Sequence, residues 1–73
     1  MDETSSVLLQ RCASAARDGA DFPTVWDSIL RRHRLVTGPP VQAIRDGHPR
    51  LEIPLMTGQS IVFDSSSGEY SIS

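Results

Sequence analysis

The apolar residues of this chain change their period partway along it, and that change constrains the fold more than anything else in the sequence. Phe22, Val25, Trp26, Ile29, Leu30 and His33 recur at i, i+3, i+4, i+7, i+8 and i+11. This is one continuous apolar stripe on a helical repeat. From residue 51 the repeat is two. Leu51, Ile53 and Leu55 alternate with Glu52 and Pro54, Ile61 and Phe63 flank Val62, and Tyr70 and Ile72 alternate with serines. A period of two with turn residues between the runs predicts strands.

The spacing predicts a helix over 22–34, with Asp21 as its N-cap and Pro23 in the first turn, where a missing N–H costs nothing. Thr37-Gly38-Pro39-Pro40 ends it. An earlier helix is predicted over 4–17. Leu8, Leu9, Cys12, Ala13 and Ala16 form a narrow stripe of mostly small residues, Thr4 or Ser5 supplies the N-cap, Asp2 and Glu3 stand near the positive end of the dipole, and Gly19 supplies the stop. Val41–Arg45 reads as a weaker first strand. The connections Asp46–Pro49, Met56–Gln59 and Ser65–Gly68 are short, and each carries the glycine that a tight hairpin uses. The fold class that follows is α+β: two N-terminal helices packed on a three- to four-stranded antiparallel β-meander. Pro54 conflicts with a regular central strand, because it has no N–H to donate. Either a short partner strand or a bulge is expected beside it. The expected centre of the core is Phe22, Val25, Trp26, Ile29, Leu51, Ile53, Ile61 and Phe63, with Trp26 as the largest anchor.

Length bounds the rest. With 73 residues there is room for a single small domain spanning 1–73, with 1–4 expected to fray. A chain this short buries only about 60% of its unfolded surface. A lone cysteine, Cys12, closes no loop within the chain, which favours a reducing compartment. "MDETSSVLL" is acidic where a signal peptide is basic, and no segment approaches the apolar length of a membrane span. A cytoplasmic protein without membrane contact is expected. All seven basic side chains are arginine, and lysine and asparagine are absent. That bias suits the GC-rich genome of a bacterium or phage.

Net charge is −2 but unevenly placed: residues 1–30 carry −3, residues 31–50 carry +4 and residues 51–73 carry −3. The middle block holds Arg31, Arg32, Arg34, Arg45 and Arg50, with His33 and His48 among them. Cations at a helix C-terminus oppose the dipole at about 0.3–1 kcal/mol each, and one or two suffice for that. If the first hairpin folds near the end of the second helix, the five arginines make one face, and arginine forks suit carboxylates and phosphates. The expected partner is an acidic protein surface. The alternative is a nucleic-acid-associated role through the same arginines, against which stand the negative net charge and the lack of aromatic platforms. The C-terminal strand, Glu69–Ser73, has no lysine or proline guard and is expected at a sheet edge, where a homodimer or a partner could add a strand.

No catalytic or cofactor arrangement emerges. Cys12 lies on an apolar stripe rather than in an electropositive setting. The two histidines are fifteen residues apart, and no metal-ligand spacing is present. "FDSSSGEY" lacks the alternating carboxylates of a calcium loop and the helix that follows a phosphate loop. Its aspartate, small polar run and Ser-Gly closure resemble the last hairpin of PepSY domains, a resemblance confined to this stretch that implies a hairpin and no activity. The functional expectation is a small non-catalytic macromolecule-binding protein of regulatory, adaptor or inhibitor type, not an enzyme, using an arginine-rich face.

Overall fold

The computed structural model describes residues 4–73. The expectations about Met1, Asp2 and Glu3 fall outside the described residues, whereas Thr4 is ordered as a cap. Its hydroxyl accepts from the amide of Val7 at 3.3 Å and opens helix α1, Ser5–Arg17. Gly19, at φ +91°, carries the chain out of the helix. Asp21 accepts from the amide of Thr24 at 3.0 Å and caps helix α2, Phe22–Val25, with Pro23 in its first turn.

The second helix departs from expectation at this point. α2 continues as a single π-helical stretch, Trp26–Leu30, closed by the amide of Arg31 donating to the Trp26 carbonyl at 2.7 Å. The Ser28 hydroxyl donates to the Thr24 carbonyl at 2.7 Å. This side-chain bond competes for the acceptor that an α-helix reserves for the Ser28 amide. The i→i+5 ladder puts Val25 and Leu30, five apart, on one buried face, while Phe22, Trp26 and Ile29 are left half-buried. Helical structure therefore ends at Leu30 rather than at residue 34, and Arg31–Arg34 lie in the turn beyond it.

The four strands are β1 (Val41–Arg45), β2 (His48–Pro54), β3 (Ser60–Asp64) and β4 (Glu69–Ile72), antiparallel in the order β1-β2-β3-β4. With the helices ahead of them, the fold is α+β, as expected. The β1–β2 hairpin turns on Asp46-Gly47, both at positive φ (54° and 78°), between the paired Arg45 and His48. That is the backbone a two-residue primed turn demands. The conflict at Pro54 resolves as a bulge. Val36 bridges Leu55, and Val41 pairs with Glu52, so Gly38-Pro39-Pro40 bulge out of the line between them. The Thr37 amide donates to the Pro54 carbonyl at 3.0 Å, so the backbone polar groups of Pro54 face that bulge, where no N–H is required. A Cβ on Gly38 would stand 3.6 Å from the Pro54 ring.

Helices and sheet make two layers, consistent with a shortest dimension of 18 Å. The core is Leu8, Cys12, Val25, Leu30, Leu35, Ile53, Leu55 and Ile61. Three of the eight residues expected at its centre, Val25, Ile53 and Ile61, lie there. Phe22, Trp26 and Ile29 pack against its rim, and Phe63 stacks between Phe22 and Tyr70 at 4.9 Å from each ring. The α1 stripe contributes more than its small residues suggested, since Leu8 and Cys12 are both fully buried. Ser5 is buried too and shares a hydrogen bond with Thr57 at 3.3 Å, tying the start of α1 to the β2–β3 turn.

Candidate functional site

The arginines fall into two groups. The Arg31–Arg34 turn leads into the Val36–Leu55 bridge, at the end of β2 remote from the β1–β2 hairpin. Arg45 and Arg50 belong to the hairpin, and Arg50 is five residues from Leu55, about 17 Å along an extended strand. The expected approach of the first hairpin to the end of the second helix does not occur, because the bridge aligns residues 35–37 with the opposite end of β2.

Within the first group, the Arg31 guanidinium donates to Asp27 at 2.8 Å, one helical turn back. Arg32 and Arg34 are exposed. His33 is half-buried, and its Nδ1 accepts from the Leu35 amide at 3.2 Å, which fixes the turn. Beside this turn, the Met56 amide donates to the Leu35 carbonyl at 2.8 Å, and the Met56 side chain is 64% exposed. An exposed apolar side chain thus borders the basic turn.

Within the second group, both arginines meet acids on the sheet face away from the helices. Arg45 Nε donates to Glu52 at 2.6 Å. Arg50 faces Asp64, its cross-strand partner, at 3.8 Å. Glu52 holds the Arg45 guanidinium charged more firmly than usual through that hydrogen bond. Val62 is 3% exposed on this face, ringed by Glu52, Ser60, Asp64 and Ser71. The charges of Arg45 and Arg50 are matched two for two within the sheet.

The face toward the helices is only partly covered. β1 is an edge strand, and on this face its Ile44 stands 79% exposed. A groove of about 470 Å³ lies beside it, lined by Gln42, Ile44, Pro49, Arg50, Leu51 and Ser65. Sequence reasoning passed over this surface. Its signal was an alternating strand followed by a tight turn, with no helical segment left over to cover it.

Burial raises the Cys12 thiol to about 11, the opposite of what a thiolate nucleophile needs. His48 is exposed beside the Asp46-Gly47 turn. Among the described residues no three His, Cys, Asp or Glu side chains are placed to hold a metal ion. Asp64 accepts from the amide and the hydroxyl of Ser66 at 2.9 and 2.6 Å, bonds that lower its pKa, and the Gly68 amide donates to the Asp64 carbonyl at 2.7 Å. "DSSSG" is therefore a self-satisfied turn. No helix among the described residues is long and apolar enough to cross a membrane. No protein-family model, curated protein or solved structure matches the chain.

Proposed function

We propose that this chain is a small macromolecule-binding protein of regulatory, adaptor or inhibitor type that engages an acidic protein surface through the Arg31–Arg34 turn. The observation that carries the reading is the junction of that turn with Met56. Exposed arginines stand beside an exposed apolar side chain on a segment held by main-chain bonds at Val36, Thr37 and Met56. Arginine and methionine are both enriched where protein surfaces meet. Arg32 is the principal contact, Arg34 stands exposed in the same turn, and Arg31 keeps its pairing with Asp27. Arg45 and Arg50 serve at most as a second, compensated site, since Glu52 and Asp64 already meet them. The arginine-only basic composition and the free buried thiol favour a bacterial or phage protein working in a reducing cytoplasm.

The test is charge reversal in a pull-down from extract of the native host. Arg32→Glu and Arg34→Glu are expected to lose at least about tenfold of the captured acidic protein, while moderate salt leaves the wild-type complex intact. Surface substitutions of this kind change stability by about 0.5 kcal/mol or less, a few degrees in Tm. Capture that nuclease treatment abolishes, and that falls steeply with salt, would establish the nucleic-acid reading instead. Normal capture by both variants would leave the turn as a helix end and nothing more.

A further inference from the structure

We propose that β1 is the docking edge for a second copy of the chain, joining two four-stranded sheets into one of eight strands. This surface is separate from the arginine turn and does not depend on its role.

The hydrogen-bond register decides which backbone groups are available. The Pro54 carbonyl points toward the β1 side, accepting from Thr37, whereas the Leu55 amide points toward β3, donating to Gln59. Alternation then turns Arg50 and Glu52 toward β1, where they meet Ala43 and Val41. Gln42 and Ile44 therefore present their N–H and C=O groups outward along the open edge. The bulge at Gly38-Pro39-Pro40 limits the available ladder to Val41–Arg45, and within it no lysine, proline or inward-pointing charge blocks pairing.

That edge is complementary to itself. With a twofold axis at Ala43, Gln42 of one copy pairs with Ile44 of the other, and each pair exchanges two main-chain hydrogen bonds. On the groove side the row across the junction then reads Leu51, Gln42, Ile44 of the second copy, Pro49 of the second copy. The isoleucine that stands 79% exposed in one copy thereby covers the open end of the groove in the other, and the exchange is reciprocal. On the opposite side the row reads Glu52, Val41, Arg45 of the second copy, His48 of the second copy. Each Arg45 approaches the other chain's Glu52 across a single valine, so opposite charges alternate over the junction. The apolar and the charged rows are both satisfied by one register.

β4 is the competing edge. The Ser60 and Ser73 amides and carbonyls exchange hydrogen bonds at 3.0 Å, so Ser71 also faces β3 and would sit on the axis of a β4 dimer centred there. Matched cysteine variants separate the two. Ala43→Cys in a β1 dimer places two Cα atoms about 4.5 Å apart, within the roughly 4.4–6.8 Å a disulfide spans. Ser71→Cys does the same for a β4 dimer. With oxidised glutathione, Ala43→Cys is expected to become a covalent dimer and Ser71→Cys to remain monomeric. Sedimentation equilibrium of the wild-type chain is expected to show mass doubling between micromolar and millimolar concentration. Ile44→Lys should weaken that association at least about tenfold with an unchanged melting temperature at low concentration. A wild-type chain that stays monomeric throughout this range, an Ala43→Cys variant that fails to cross-link, or preferential cross-linking of Ser71→Cys would each overturn the proposal.

Discussion

Leu30→Ala is expected to bring the fold close to its limit of stability. The side chain is fully buried at the end of the π-helical stretch, among Val25, Leu35 and the sheet residues Ile53 and Ile61. Truncating such a leucine costs about 2–5 kcal/mol, the larger figures applying where the surroundings cannot collapse into the gap. A chain of this length has a total stability of roughly 4–11 kcal/mol. Trp26→Ala is expected to cost less, although the indole is the larger group, because Trp26 is only half-buried and part of its surface is already in water in the folded state. Urea unfolding followed by far-UV circular dichroism measures both, and the expected order is Leu30→Ala below Trp26→Ala below wild type. A reversed order would mean that the second helix buries the face an uninterrupted α-helix would bury.

That reversal of importance shows where sequence reasoning carries and where it stops. The change from helical to alternating period places both helix starts, the strands from residue 51 onward and all three hairpins, because each depends on local chemistry: Asp21 and Thr4 as caps, Asp46-Gly47 and Asp64 in the turns; Val41–Arg45 carries only a weaker signal, and β2 begins at His48, inside the expected connection. Pro54 points to a bulge or a short partner for the same reason. The end of the second helix is different. It depends on whether Ser28 bonds to solvent or back to Thr24, a choice made only once Val25 and Leu30 compete for the same core. With the extra residue in the turn, the stripe rotates and Trp26 moves to the rim. Leu35 and Leu55 reach the core through the isolated bridge at Val36, a pairing between residues nineteen apart that leaves no periodic trace. The candidate sites follow suit. The arginine cluster is legible as a charge excess, but its division depends on that same bridge, which sends Arg31–Arg34 to one end of β2 and leaves Arg45 and Arg50 at the other. The apolar edge at Ile44 is a property of what fails to cover it, and hydrophobicity alone assigns such a residue to the core.

Raising the pH from 8 to above 11 is expected to strip the fold of much of its stability, through two side chains. The chain has one cysteine, one tyrosine and no lysine, so few other side chains change charge in this range. Burial raises the Cys12 thiol from 9.0 to about 11. Burial, with the neighbouring Cys12 and Asp21 charges behind it, raises the Tyr70 hydroxyl from 10.0 to about 12. Between these limits the unfolded chain has released protons that the folded chain still holds. The unfolded state binds fewer protons, so stability falls as pH rises. For Cys12 this rise corresponds to roughly 3 kcal/mol, present below pH 9 and lost by the time pH passes 11. The Tyr70 contribution follows one unit higher. Its hydroxyl is buried with no hydrogen-bond partner among the described residues, so Tyr70→Phe is expected to be neutral or stabilising at pH 7. Urea midpoints measured across this range should fall steeply for the wild type and less steeply for Cys12→Ala. In Tyr70→Phe only the last part of the fall should disappear. Tyrosinate absorbance, reported by this single tyrosine, should rise near pH 12 as long as the chain is folded. A wild-type midpoint that stays level to pH 11, or a Cys12→Ala variant with the full slope, would mean that water reaches the thiol and that α1 does not seal this side of the core.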